Sequence, residues 1–202
     1  MSTEVPDGSG TPPVRAVGIA GSLRQGSYNR LLLANAVELA PSDLRIDVFD
    51  ALGEIPLFNS DVAELGDPPA VAALRHAVWA ADALVLATPE YNYGIPGVLK
   101  NALDWLSIPP GASGLEDLTV ALMGASPSIL GTARAQTQLR QVFVFTQSHV
   151  VPFPEVFVTK AHTRFDQDGH LTDTGATKII RRLLENLVDL SRRLGRDQQD
   201  QR

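Results

Sequence analysis

Cysteine is absent from all 202 residues, which excludes disulfides, thiol chemistry and thiolate metal sites. A cytoplasmic location is the expectation that fits such a chain. No apolar run approaches the ~20 residues that a membrane-spanning helix needs, so no membrane partner is expected. Positive charge is in the minority. Lys and Arg number 17 against 23 Asp and Glu, a formal net charge of −6, which argues against a general nucleic-acid partner. Two familiar nucleotide-binding patterns are missing as well. There is no G-x-x-x-x-G-K-[ST], and Gly18, Gly21 and Gly26 do not have the spacing of G-x-G-x-x-G. The histidines at 76, 149, 162 and 170 share no metal-ligand spacing, so no metal is expected.

What is present suffices for one good-sized domain with ample core, since 44% of the residues are hydrophobic. Met1 to Pro13 is Ser, Gly and Pro with acids and no apolar segment. It reads as a disordered tail and not as a signal peptide. The domain is expected over residues 14–193, with 194–202 as a C-terminal tail and no internal repeat or linker.

Within the domain, short apolar runs alternate with helical spacing. Residues 14–20, 83–87 and 119–123 are nearly continuous apolar runs, as strands buried on both faces are. Leu44 to Phe49 alternates apolar and polar and reads as an edge strand, with Val156 to Thr159 as a last short one. Helices are expected at Leu32, Ala36 and Leu39, at Val71, Leu74 and Val78, and at Leu99, Leu103 and Leu106. A fourth runs from Gly131 to about Val144. The last begins near Thr174, with Ile179, Leu183, Leu187, Leu190 and Leu194 aligned. Alternating strands and helices mean a doubly wound α/β fold, a five-stranded parallel sheet with helices on both faces. Three central strands and an early edge strand fit the order 2-1-3-4-5, the flavodoxin-like arrangement. Such sheets bind ligands where the order reverses, outside the carboxyl ends of the first and third strands.

Two loops therefore matter, those beginning at Gly21 and at Thr88. The first, Gly21 to Arg30, joins a strand to a helix and is rich in Gly, Ser and Asn, with Arg24 at its middle. Unpaired N–H groups and the helix dipole favour an anion at such a place. Ser22, Ser27 and Asn29 add short donors, and Arg24 adds a charged fork suited to phosphate. From Arg15 to Val37 there are three arginines and no acid. Ser27 or Asn29 can equally serve as the helix N-cap, and capping and phosphate binding use the same geometry. The second loop, Thr88 to Gly97, holds two prolines, two glycines, two tyrosines and an asparagine within ten residues. Proline and glycine fix an unusual path whose N–H and C=O groups can face a planar heterocycle, with tyrosines as flat walls.

Here the sequence resembles the NADPH-dependent FMN reductase family, in the branch of chromate and quinone reductases. The resemblance rests on Gly21-Ser22-Leu23-Arg24-x-x-Ser27-x-Asn29 and on the run from Pro89-Glu90-Tyr91-Asn92 through Pro96-Gly97 to Asp104-Trp105. It continues through Ser126-Pro127 and Arg134-Ala135-Gln136, over about residues 14–193. It implies an FMN phosphate on the first loop, at Ser22, Arg24, Ser27, Tyr28 and Asn29. The flavin ring would lie at Pro89, Glu90, Tyr91, Asn92 and Gly94, with the loop at Ser126 closing over the ribityl chain. NADPH or NADH would deliver hydride, and a quinone, free flavin, azo dye or metal oxyanion such as chromate would then take the electrons in a ping-pong cycle.

No catalytic acid, base or nucleophile is expected, and Glu90 is expected to act only through its backbone. The resemblance also implies a homodimer or homotetramer, and it favours an interface place for Trp105 over a core one. A non-enzymatic FMN electron carrier and a flavin-loaded sensing protein are the rival readings, and the long second motif favours the reductase. One departure stands out. After Ser126-Pro127 the family is glycine-rich, whereas this chain has Ser128-Ile129-Leu130, a bulkier loop that bears on acceptor access.

Overall fold

The computed structural model describes residues 12–109, 111 and 113–200. Most of the expected N-terminal tail thus lies outside the described residues. Strand β1 (Val14–Ala20) is followed by helix α1 (Tyr28–Leu39), β2 (Leu44–Val48), a 3-10 turn (Ala51–Glu54), and the short α2 (Ser60–Glu64). Then come α3 (Pro69–Trp79), β3 (Ala83–Ala87), α4 (Gly97–Leu106), β4 (Thr119–Ala125) and α5 (Ala133–Phe145). The described chain closes with β5 (His149–Val150), β6 (Val156–Val158) and α6 (Thr174–Asp200).

All strand pairs are parallel, and the order is β2-β1-β3-β4-β5. The fifth position is split. β5 pairs with the start of β4, at Thr119 and Val120, and β6 with its end, from Met123 to Ala125. The run at 156–159 is therefore only the second half of that strand. The first half has two residues, too few to show any periodicity.

Alternate residues of the central strands feed two cores. Ala83, Val85 and Ala87 join Ala121 and Met123 under α1 and α6, in contact with Leu32, Leu33, Leu183 and Leu187. Leu84, Leu86, Val120 and Leu122 face α3, α4 and α5, against Leu74, Leu103 and Phe143. Helices thus cover both faces, as a sheet with continuous apolar strands demands. In α6 the buried stripe runs through Ile180, Leu183, Leu184, Leu187 and Val188, whereas Ile179 is 43% exposed. The helix continues through Asp200, past the boundary expected at 193.

Trp105 corrects a second expectation. It lies on a face of α4 away from the sheet, yet it is fully buried. The segment after the 3-10 turn folds over it. Its indole N–H donates to Pro56 O at 2.8 Å, and Phe58 meets its ring edge-on at 5.1 Å. Trp105 is core, so it offers no surface to a partner.

Candidate functional site

The carboxyl ends of β1, β3 and β4 carry three loops, and each is fixed by contacts to the next. Gly21 N–H donates to Ala87 O at 2.9 Å, and Thr88 N–H to Met123 O at 2.9 Å. Asn29, buried at the start of α1, spans to the end of β4. Its side-chain amide donates to Ala125 O at 2.9 Å, and its oxygen accepts from Ala125 N–H at 2.8 Å. One carboxamide thus completes both bonds that a neighbouring strand would make. Its side chain thus positions the two loops, with the second hydrogen of its amide nitrogen not used in these bonds. Gly124 is the close-approach point. A Cβ there would lie 2.0 Å from Thr132 Oγ1 and 2.5 Å from Thr88 O, so no other residue fits between the loops.

Ser27 is the N-cap of α1, its hydroxyl oxygen accepting from Asn29 N–H at 3.2 Å and Arg30 N–H at 3.4 Å. Ahead of it, among the described residues, the N–H groups of Ser22 to Gly26 meet no intramolecular acceptor. Arg24 is exposed beside them, 5.7 Å from the Tyr28 ring centroid, and no described carboxylate pairs with it. Capping and anion binding coexist here, because the cap uses the N–H groups inside the helix and leaves those of the loop open.

The second loop turns tightly. Tyr91 N–H donates to Gly94 O at 3.1 Å and Gly94 N–H to Tyr91 O at 2.9 Å. The central residues Asn92 and Tyr93 have φ of 49° and 65°, both left-handed, as a two-residue reverse turn of this kind requires. Asn tolerates that region, but a bulky Tyr there is strained. The Tyr91 hydroxyl lies 3.2 Å from Ser22 Oγ, linking the second loop to the first.

Glu90 turns its carboxylate to the N-terminus of α5. It accepts from Arg134 N–H at 2.9 Å and Ala135 N–H at 3.2 Å, and Arg134 Nη1 lies 3.4 Å away. The N-terminus of α5 thus already has its anion, whereas the loop ahead of α1 keeps its N–H groups open.

The cleft between these loops is lined by Ser22, Arg24, Ser27, Tyr28, Asn29, Pro89, Glu90, Tyr91, Ala125, Ser126 and Pro127. Every residue singled out in the sequence is among them except Asn92 and Gly94, which sit in the turn beyond. The cleft measures about 120 Å³, well below the roughly 300–1,000 Å³ of pockets that enclose a whole small molecule. Its size suits a phosphate and a narrow chain, with a flat head group lying outside against the turn. The adjoining loop exposes Ile129 and Leu130, at 75% and 48%.

Two residues of α5 escaped the sequence reading as supports of the site. The Arg134 guanidinium lies 3.9 Å over the Tyr93 ring, and Gln138 bonds the turn from outside. Arg134 belongs to a stretch that carries the resemblance, but nothing in it points to the turn, and Gln138 is one more polar residue on an amphipathic helix. Away from the cleft, Asp166, Asp168 and His170 bring possible ligand atoms within 4.8 Å of one another. All three are exposed, and a turn in which Asp166 Oδ1 accepts from Asp168 N–H and His170 N–H explains their closeness.

Comparison with known proteins agrees with this architecture. The sequence profile of the family described as NADPH-dependent FMN reductase matches residues 14–163. An NAD(P)H-dependent FMN reductase of Pseudomonas aeruginosa is 47% identical over 181 residues, 90% of this chain and 97% of that protein. The quinone reductase of Escherichia coli K12 is 37% identical over 164 residues, covering 80% of this chain and 87% of its own. Among solved structures, the flavoenzyme NAD(P)H:(acceptor) oxidoreductase FerB of Paracoccus denitrificans superposes with a TM-score of 0.81 at 29% identity. That match covers 89% of this chain and 98% of that one. With a profile match over most of its length and the loops on the expected strand ends, the chain belongs to the NADPH-dependent FMN reductase family of oxidoreductases.

Proposed function

We propose that this protein is an FMN-dependent NAD(P)H:quinone oxidoreductase that works by a ping-pong mechanism, as a cytoplasmic homo-oligomer. The observation that carries the flavin assignment is the first loop. Its N–H groups from Ser22 to Gly26 and the unpaired Arg24 surround the N-terminus of a capped helix, a donor set that fits a phosphate dianion. FMN held there would supply the redox chemistry, hydride acceptance from NAD(P)H and electron transfer to the acceptor. The protein's own residues hold and orient. Ser22, Arg24, Ser27 and Tyr28 anchor the phosphate. Asn29 fixes the loops around it, and Ser126 bounds the far side of the cleft. Pro89, Tyr91, Asn92 and Gly94 give the ring a rigid edge of backbone groups. Glu90 is already neutralised by α5, so it opposes no negative charge that develops beside the turn.

Quinones are the proposed acceptors, with free flavin, azo compounds and metal oxyanions such as chromate as further ones. Ile129 and Leu130 add exposed apolar surface next to the cleft, which favours a flat apolar acceptor over a hydrated oxyanion. The absorbance spectrum of the purified protein and NADPH oxidation with and without a quinone test the proposal together. A flavin spectrum with quinone-dependent turnover is the expected result. A flavin spectrum without turnover identifies an electron carrier instead.

A further inference from the structure

We propose that Gln138 is the positioning residue of the flavin-ring turn, acting from α5 as a substitute strand. The proposal rests on the flavin reading above and extends it to a residue that touches neither cleft nor ligand. The Gln138 amide donates to Tyr93 O at 3.2 Å, and its oxygen accepts from Ile95 N–H at 3.1 Å. One carboxamide thus grips the chain on both sides of Gly94. That is the same bidentate pattern with which Asn29 holds both backbone groups of Ala125. The fit is close, since a Cβ at Gly94 would lie 3.1 Å from Gln138 Oε1. Glycine at 94 and glutamine at 138 therefore form one device.

The turn needs an outside support. Tyr93 sits in the left-handed region at φ 65° with its ring 66% exposed, so neither its backbone preference nor burial holds it there. Two internal hydrogen bonds close the turn but do not fix its tilt against the fold. Three contacts from α5 do so. Glu90 binds the helix N-terminus, Arg134 covers the Tyr93 ring, and Gln138 pins the backbone one helical turn further on. Of these, only Gln138 bonds to the backbone of the turn and its exit, and that backbone is what would meet a flavin ring.

Two variants isolate this role. Gln138→Leu keeps size and helix preference but removes both bonds. Gln138→Glu keeps the acceptor for Ile95 N–H, and when protonated it also regains a donor for Tyr93 O. The charged groups around the position, Glu90 and Arg134, are common to all three proteins, so differences at equal pH report on residue 138. Each bond corresponds to roughly a three- to tenfold effect. In Gln138→Leu the amide-exchange protection of Ile95 in the flavin-free protein should drop by about tenfold. FMN should bind about tenfold more weakly, with an altered flavin absorbance spectrum and a melting temperature near that of the wild type. Gln138→Glu should keep most of the Ile95 protection at neutral pH but bind FMN about three- to tenfold more weakly than wild type, and move back toward wild type in acid, where its carboxyl protonates.

Unchanged Ile95 protection together with unchanged FMN affinity in Gln138→Leu would overturn the positioning role. A melting temperature that falls in step with FMN affinity, with no recovery of Gln138→Glu in acid, would overturn it too, by showing a merely structural part. If the wild-type protein itself binds no FMN, the flavin reading fails. The Ile95 measurement still decides, separately, whether Gln138 holds the turn.

Discussion

Arg24 is exposed at the cleft, whereas Trp105 is wholly buried between α4 and the segment that ends in Phe58. Arg24 stands where the sequence puts a phosphate anchor, in a loop of open N–H groups with no described carboxylate to compete. A hydrogen bond to a charged group is worth roughly 1.5–3 kcal/mol. Arg24→Ala should therefore weaken FMN binding by about ten- to a hundredfold, while riboflavin, lacking the phosphate, should bind nearly as before. Fluorescence titration of the two ligands makes the comparison, and equal losses would remove Arg24 from the phosphate site. Trp105 was misread because the Leu99, Leu103 and Leu106 stripe already accounted for the buried face of its helix. The chain that covers it, Ile55 to Phe58, lies more than forty residues earlier and has no periodicity that points to α4. Burial in that place makes Trp105→Ala a core truncation, with an expected cost of about 3–5 kcal/mol. Denaturant unfolding should show that loss with the oligomeric state unchanged. A shift to smaller species without a loss of stability would return Trp105 to an interface.

Among the elements, those with several turns or a long apolar run were legible, and the short ones were not. β1, β3 and β4 declare themselves by continuous apolar runs, because both of their faces are covered. The five residues of α2 and the two of β5 hardly exceed one period of a helix or strand pattern, too few for a repeat to show. In α6 the stripe drifted by one residue at its start. Ile179 and Ile180 are equally apolar, and only the packing of α6 on β1, β4 and α1 selects Ile180.

The turn before α6 carries the one resolved titration. The backbone N–H of His170 is the main cause that holds the Asp166 carboxyl below its ordinary value. Desolvation opposes it as the next largest cause, and the Asp168 N–H and the His170 ring add smaller lowering effects. Because the folded value is depressed, the turn is supported above the ordinary carboxylate range. That support is lost as pH falls through the folded value. Amide exchange at Asp168 and His170 should therefore quicken, relative to unstructured peptide, as pH falls below the ordinary carboxylate range. Asp166→Asn should remove most of that dependence. The carboxylate is exposed, so the effect stays local to residues 166–170.

At the scale of the whole molecule, the fold places a cleft where the strand order reverses between β1 and β3, and the proposed cycle has donor and acceptor enter it in turn. If they use the same surface in turn, initial rates at several quinone concentrations should give parallel double-reciprocal lines against NADPH. High quinone should also inhibit competitively against NADPH. Intersecting lines would show that both bind together. The cleft's membership was legible because its residues cluster in two loops with unusual composition. Its supports from α5 were not, because their partners, the Glu90 carboxylate, the Tyr93 ring and the turn backbone, lie forty-odd residues away.

The division of the fifth strand position has a consequence for how copies of this chain can meet. Between β5 and β6 the outer margin of the sheet is interrupted by Val151-Pro152-Phe153-Pro154-Glu155. Proline offers no N–H to an incoming strand, and the segments on either side have two and three residues. The opposite margin, β2, has five residues and displays Arg45 and Asp47 to solvent. Neither border gives a long ladder of free backbone groups onto which a second sheet could be templated. Growth by strand addition thus meets a broken ladder at one margin and a short, charged one at the other.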